Sequence, residues 1–433
     1  MGDSGTTDRK NVFVIGLDAH NRQVLEAGPD AAQYQFHQVL SFAEIYGEVI
    51  SFDDALASAQ RVLDSFDGPI DAIIGFWDFP VSSLVPLLRK RFGLATYRLE
   101  DVVMCEHKYW SRLIQQRVIT EYPRFGLVDP DRDTTPPEGL CFPLWIKPVK
   151  SYSSVLAFGV ADQHEFATAL ATMRDGIGRI GEPFDALLAH VELPQEIGAA
   201  GGRVCVAEEA IPGHQLTIEG YRHRGQVVIY GVIDSVCYPD SPSFQRYQYP
   251  STLGADVRQR LVDISTRVVE AIGMEGLTFN IEYFYDAATD AIGLLEINPR
   301  HSQSHAQLFA DVDGMTNHEI MVRLAMDRDP EFPHGDGRYA MAAKWFIRRF
   351  SDGLVRRHPS PQEIAAIEGV VAGTSIDLTA HAGDVLSELH EQDMYSYELA
   401  SVYIGGADEA ELTAKFDQIS AALRYEIDDR ADT

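Results

Sequence analysis

The chain has 433 residues, 36 of them basic and 65 acidic, for a formal charge of −29. That length allows two or three domains with cores of their own, and the charge argues against nucleic acid as a general partner, because phosphate backbones need a basic face. No apolar run approaches the roughly 20 residues of a membrane span, so no membrane partner is expected, and four cysteines without CxxC spacing (Cys105, Cys141, Cys205, Cys237) predict free thiols in a reducing, cytoplasmic setting.

The polar start Met-Gly-Asp-Ser-Gly-Thr-Thr predicts no signal peptide. Gly2 with Thr6 fits the loose myristoylation pattern and is read as a chance match. Asn11 to Leu17 reads as a buried strand, followed by the polar loop Asp18-Ala-His-Asn21. Next come a helix-like segment over Ala31 to Tyr46, the segment Glu48 to Phe52, a helix near Asp54 to Phe66 and the strand Asp71 to Phe76. Alternating strands and helices imply a parallel sheet with helices packed on it, and ligands at such sheets lie beyond the carboxyl ends of the strands. Asp18, His20, Asn21 and the pair Trp77-Asp78 are therefore candidate substrate contacts, with capping or turn roles as the alternative. No GxGxxG follows the first strand, so a dinucleotide domain is unsupported.

Val81 to Phe92 reads as a helix, Gly93 to Tyr97 as a short strand, and a further helix starts near Glu106 and carries Lys108. Pro123 to Gly139 is polar and proline-rich, a loop or linker. Leu140 to Lys150 is an apolar strand in which Pro148 stops the ladder and keeps Lys147 extended, so that its ammonium projects from a strand end. The loop Ser151-Tyr-Ser-Ser154 and a return strand Val155 to Val160 follow. Only seven of the basic residues are lysines, and three of those fall between positions 108 and 150. In a chain that otherwise uses arginine, a retained lysine points to a compact ammonium, as on a phosphate.

Glu165 to Arg174 reads as a helix and Leu187 to Leu193 as a strand. Arg203 to Gly220 reads as strand, Pro-Gly kink and strand, and Gln226 to Asp234 as another strand. Ser235 to Leu253 is polar, aromatic and broken by prolines; it reads as a long functional loop whose Arg246 is a candidate carboxylate anchor. Ala255 to Ile272 is an amphipathic helix stopped by Gly273.

Leu277 to Arg300 is a hairpin signal: two arms alternating with period two around the turn Asp286 to Asp290. A turn centred near Thr289 sets Glu282 opposite Glu296 and Asn280 opposite Asn298 on one face, with Ile281, Tyr283, Leu295 and Ile297 in the core. Directly opposed side chains have Cβ atoms roughly 4.5–5.5 Å apart, and like charges there repel. Two carboxylates so placed want a cation, and oxygen ligands without Cys or His suit Mg²⁺ or Mn²⁺ rather than zinc. His301 and His305 read as helix entry and pocket wall, and Gly314 to Met326 as a helix. From Gly337 the pattern resets: strand Tyr339 to Phe350, helix Ser360 to Glu368, Thr374 to Leu378, strand Ser396 to Ile404 and helix Asp408 to Ile427, with Lys344 and Arg349 structural.

Glu282 on one strand with Glu296-Ile-Asn-Pro-Arg300 on the next resembles the metal-binding signature of the ATP-grasp superfamily, and the likeness spans roughly Lys108 to Leu308. It implies an α/β and α+β fold: an N-terminal parallel α/β domain over 1–105, an ATP-grasp domain over 106–335 with a lid at about 140–212, and an α+β C-terminal region over 336–433. It further implies that ATP is held with Mg²⁺ or Mn²⁺ on Glu282, Glu296 and Asn298. By the same likeness Lys108 and Lys147 contact the phosphates, the backbone near Glu208, Glu209 and Ile211 meets the adenine edge, and Gln215 meets the ribose. Two departures stand out: serines replace the usual lid glycines after Lys150, and Gln215 replaces the usual ribose glutamate. The implied activity is ADP-forming carboxylate–amine ligation on small molecules, with Arg300 and Lys147 catalytic, and a homodimer is left open. A biotin-carboxylase-like enzyme, a small-molecule kinase and a non-catalytic Mg-ATP-binding regulator are the alternatives; bicarbonate dependence, a stable phosphorylated product, and binding without turnover would distinguish them.

Overall fold

Val12, Val14 and Ile15 are fully buried and Phe13 nearly so, as expected of a strand covered on both faces. This strand, β1 (Lys10–Ile15), lies between β2 (Tyr34–Val39) and β3 (Ala72–Ile74), all parallel. Phe13 and Ile15 face the helices Phe52–Asp64 and Val81–Arg91. Val12 and Val14 face Leu25 and, from far along the chain, Met321 and Val322 of the helix Asn317–Ala325. The protein is described by a computed structural model covering residues 9–46, 51–151, 155–389 and 392–430. The Gly2–Thr6 pattern, most of the segment Glu48 to Phe52 and residues 152–154 of the lid loop lie outside the described residues.

Several local expectations are corrected. Ala31 to Tyr46 is not one helix: a 3₁₀ turn (Ala31–Gln33) leads into β2 and then the short helix Phe42–Tyr46, because Tyr34 and Val39 are both needed in the first sheet's core. Gly93 to Tyr97 forms no strand; Gly93 takes a left-handed conformation (φ 70°) that ends the preceding helix and turns the chain. The strand expected over Leu187 to Leu193 is the end of the helix Gly178–Leu188 and a turn. The helix Asp408 to Ile427 is shorter (Glu409–Ala422), and the residues after it form a strand.

The second sheet is antiparallel, with β4 (Phe125–Val128), β5 (Leu144–Pro148), β6 (Phe158–Val160) and β7 (Cys205–Glu209) in the order β4-β7-β5-β6. β4 arises inside the stretch read as a linker. Leu144, Ile146, Cys205 and Ala207 pack under Phe166, Leu170 and Met173 of the helix Gln163–Gly176.

The third sheet is the largest. It holds β8 (His214–His223), β9 (Gln226–Cys237), β10 (Phe244–Tyr249), β11 (Leu277–Asp286), β12 (Ala291–Asn298) and β13 (Met341–Arg349). After the short β14 (Gly353–Arg357) it adds β15 (Thr374–Leu378) and β16 (Tyr397–Gly406), in the order β12-β11-β8-β9-β10-β13-β16-β15. β14 pairs instead with β17 (Glu426–Asp429). β10 occupies the middle of the segment read as a loop. Its alternating Gln-Arg-Tyr-Gln-Tyr supplies the ladder between β9 and β13, so the C-terminal strands extend the central sheet.

Candidate active site

The hairpin β11–β12 sets Glu282 opposite Glu296 and Asn280 opposite Asn298. The turn itself is placed half a residue from the expected centre: Asp286 pairs Ala291 and Tyr283 pairs Leu294. A β-bulge then inserts Leu295 and restores the facing carboxylates. Leu295 is consequently only partly buried rather than core, and its carbonyl accepts a hydrogen bond from Arg112 Nη2 at 2.7 Å. Leu294 takes its place in the core.

The two carboxylates experience different fields. Burial and then the facing Glu296 push the Glu282 carboxyl above its usual range. Burial also disfavours the charge on Glu296, but Lys108 and Lys147 outweigh it and hold the group below the usual range. Lys108 Nζ lies 2.5 Å from Glu296 Oε1 and 3.0 Å from the Ser151 carbonyl. Its position follows from a break in the expected helix at His107, which separates Leu99–Glu106 from Lys108–Val118. His107 Nδ1 caps the second helix through the Trp110 amide, and the Lys108 amide donates to the Val149 carbonyl at 2.7 Å. That bond ties the helix start to the residue that follows β5.

Lys147 Nζ lies 2.8 Å from Glu208 Oε2, and Arg112 Nε lies 2.7 Å from Glu208 Oε1. Burial opposes the charge on Glu208, but Arg112 and Lys147 overcome it and draw the carboxyl down to about 2. The Glu208 side chain thus looks inward, and Glu209 accepts from the Cys141 amide and pairs with Arg124. The chain between β7 and β8 is a short exposed crossing from the second sheet to the third, turned at Gly213 (φ 118°), with Ile211 packed against Gly293. Gln215 Nε2 donates to Glu282 Oε2 at 3.0 Å, so it stands at the carboxylate face.

Arg300 grips Asp78 with a two-pronged contact, Nε to Oδ1 at 3.0 Å and Nη2 to Oδ2 at 2.7 Å. Asp78 follows β3, at the carboxyl end of the parallel sheet. The other N-terminal candidates take local roles: Asp18 caps the helix Ala19–Glu26, Trp77 donates to the Gly16 carbonyl, and His20 meets Asp377. Arg246 does not enter the site; it pairs with Glu409 and lies 5.2 Å from the Trp345 ring. Lys344 is buried against Phe346 and Tyr403, and Arg349 pairs with Asp429 at the surface.

Two features were not legible in the sequence. Lys150, 3 % exposed, sits 3.3 Å from Glu106 Oε2; lysine scarcity was its only signal. Glu219, fully buried, accepts from the Asn280 and Asn317 side chains, the Ser302 amide and the Tyr230 hydroxyl, with His305 Nδ1 2.8 Å away. Asn280 in turn accepts from Asn298, which also donates to Glu282 at 3.2 Å. Nothing in the period-two pattern of β8 distinguishes Glu219 from a solvent-facing glutamate. His301 and His305 belong to this buried hydrogen-bonded cluster, and His301 continues through His318 to Asn21.

Residues 140–307 match the family model of the ATP-grasp domain. That segment is an ATP-grasp domain. Its fold is similar throughout to an L-amino acid ligase from Bacillus licheniformis, with a TM-score of 0.73, 15 % identity, and 98 % of this chain and 99 % of that one covered. It is also similar to phosphoribosylglycinamide synthetase from Anaerococcus prevotii (TM-score 0.64, 12 % identity, 98 % and 100 % covered). Biotin carboxylase from Campylobacter jejuni is similar at the same level (0.64, 12 %, 98 % and 93 %). No curated protein matches the sequence. The ATP-grasp segment contains Lys147, the crossing from β7 to β8 and the whole hairpin, while Lys108 lies before it. No described helix is long and apolar enough to cross a membrane.

Among the described residues no cluster of three or more His, Cys, Asp or Glu is arranged to hold a metal. Glu282, Glu296 and Asn298 nonetheless fit Mg²⁺ in a nucleotide site, where the ion keeps waters and phosphate oxygens and takes only one or two carboxylates from the protein. Burial and the facing Glu296 both raise Glu282, and such an ion would offset both. The crevice beneath Lys108 and Glu296, lined by Ser111, Arg112 and Ile297, has room for about one water.

Proposed function

We propose that this ATP-grasp protein is an ADP-forming ligase that joins a small carboxylate to an amine. The observation that carries the reading is the facing pair Glu282–Glu296, with Lys108 and Lys147 both acting on Glu296, between a lid sheet and a central sheet. A carboxylate is a poor electrophile and has to be converted to an acyl phosphate before an amine can attack it. Mg²⁺ on Glu282, Glu296 and Asn298 would supply charge neutralisation at the phosphates. Lys147, once it releases Glu208, and Lys108, once it releases Glu296, would hold phosphate oxygens as point charges. The exposed crossing from β7 to β8 would offer backbone groups to the adenine edge, with Gln215 near the ribose. Arg300 would carry the negative charge that develops on the reacting carboxyl, and closure of the lid would keep water from the acyl phosphate. No protein nucleophile is required.

Amino acids are the first substrates to try, because the similar Bacillus licheniformis protein is an L-amino acid ligase. The test is a phosphate-release screen of amino acids and small acids in pairs, with ADP distinguished from AMP and bicarbonate plus biotin as one arm. Pair-dependent release of ADP and phosphate supports ligation. Release only with bicarbonate and biotin, or with no second substrate needed, overturns it. Glu296→Gln is expected to lower turnover by at least about a hundredfold, as for loss of a group that acts on transition-state charge, with the circular dichroism spectrum unchanged.

A further inference from the structure

A structural role for Lys344 accounts for its burial but not for its charge. The residue is 9 % exposed, and a buried ammonium is costly unless an anion faces it. Among the described residues no carboxylate forms an ion pair with it: of the two nearest in effect, Glu398 lies 3.8 Å from Arg348 and Asp377 lies 3.1 Å from His20. Lys344 Nζ donates instead to the Ser304 hydroxyl at 3.2 Å, and it stands 4.8 Å from the Phe346 ring and 5.5 Å from the Tyr403 ring. A hydroxyl and two rings hold an ammonium in place without neutralising it.

The strand register sets its position relative to the carboxylate face. Lys344 pairs Tyr247, Tyr247 pairs Ser235, and Ser235 pairs Gln215; directly paired residues share a face. Gln215 in turn bonds Glu282. Neighbouring strands are about 4.8 Å apart, so the three steps from Gln215 to Lys344 cover about 14 Å along one face. Tyr247 lies between them and meets the His305 ring edge-on, with centroids 4.9 Å apart. The 3₁₀ turn Gln303–His305 starts three residues after Arg300, and its Ser304 is the residue that holds Lys344. On the far side Tyr403 stacks on His20 at 6.1 Å, and there the row reaches solvent: the His20 and Asp377 side chains are 42 % and 52 % exposed.

We propose that Lys344, steadied by Ser304 and Tyr403, binds a carboxylate carried by the amine-bearing substrate. The inference rests on the ligase reading. A neutral amine gives an enzyme little to hold, so an acceptor has to be positioned through another of its groups, and a desolvated ammonium makes a strong charge-assisted bond to a carboxylate. The carboxylate to be activated belongs at the phosphates, beside Glu282. One that sits on Lys344, at the other end of the row, is a different group. The span between them takes a small acyl donor and an amino acid in line, with the amine toward the acyl group and the carboxylate on Lys344. The acceptors selected are therefore amino acids rather than simple amines.

The test sets two acceptor pools in competition on the full chain with Mg-ATP. One is an equimolar mixture of the common L-amino acids, which also supplies the carboxylates to be activated; the other is the same set as carboxamides, which can serve only as amines. Mass spectrometry reads the ratio of products ending in a free carboxylate to products ending in an amide. The wild type is expected to favour the free carboxylate by at least about tenfold, and Lys344→Met to lower the ratio by about tenfold, as for loss of one charge-assisted bond. Replacing a buried lysine by methionine leaves no charge unpaired, so the fold should hold. Ser304→Ala, a milder change, should lower the ratio by about twofold to threefold. ADP affinity by calorimetry should stay within about twofold in both variants. A ratio that Lys344→Met leaves unmoved, or a wild type with no preference, overturns the site while ligation stands. A loss confined to products with Asp or Glu as the acyl donor also overturns it, because Lys344 would then hold the donor's second carboxylate. A wild type that forms neither kind of product overturns both readings.

Discussion

Glu208 offers the sharpest stability test, because its carboxylate is 3 % exposed and is claimed by two cations, Lys147 at 2.8 Å and Arg112 at 2.7 Å. Glu208→Gln keeps the shape and removes the charge. Two routes give its cost. The carboxyl falls from 4.5 to about 2 in the folded protein, and at about 1.4 kcal/mol per unit that is about 3 kcal/mol of stability at neutral pH. Breaking a buried pair by removing one partner costs about 3–5 kcal/mol. The two agree near 3 kcal/mol. A depressed acid contributes stability that is complete above its unfolded pKa and is lost as pH falls through the folded value. The penalty should therefore be full at pH 7 and shrink between about 4.5 and about 2. Urea unfolding of wild type and variant at pH 7, and again at the lowest pH where both fold, measures it. A difference below about 1 kcal/mol at pH 7 would mean that Arg112 and Lys147 are satisfied elsewhere, and the account of this bridge would be wrong.

Glu219→Gln should weaken Mn²⁺ binding to the ATP complex by about tenfold to a hundredfold, the usual cost of losing a support behind a metal ligand; electron paramagnetic resonance titration reads it, and unchanged affinity would remove Glu219 from the site's support. Gly213→Ala should destabilise the β7–β8 crossing by at least about 1 kcal/mol, because a Cβ would meet the Tyr285 carbonyl at a φ of 118°; thermal melting together with the KM for ATP checks it. Asp311, pushed up to about 6 by burial, costs no stability below about pH 4, a growing amount between about 4 and about 6, and the full amount above that. Asp311→Asn should therefore stabilise the protein by about 1–2 kcal/mol at pH 8 and by nearly nothing at pH 4, as a pair of unfolding curves would show.

The facing glutamates were legible because a period-two pattern fixes which side chains share a face. Their pairing was read from a turn half a residue out of place, and it holds only because Leu295 bulges; no propensity marks a bulge in an alternating run. Lys108 and Lys147 could be picked out because this sequence spends so few lysines. Lys150 carried the same signal, but its partner Glu106 lies forty-four positions away and no periodicity links them. Glu219 was invisible for a related reason: on β8 it looks like any outward glutamate, and only the loop Ser302–His305 and the helix Asn317–Ala325 close over it. β10 was missed because the prolines on either side of it and its aromatics read as a loop, although Tyr247 and Tyr249 were already in strand alternation.

The continuity of the central sheet has a practical side. Ending an expression clone near position 336 would take away β13, β15 and β16 and leave the Phe244–Tyr249 edge, with its aromatic side chains, open to any other unpaired strand. Cutting earlier would also strip Met321 and Val322 from the first sheet. Such fragments should precipitate or pair with one another, so chimaeras between relatives are better attempted by exchanging loops than by exchanging the last hundred residues.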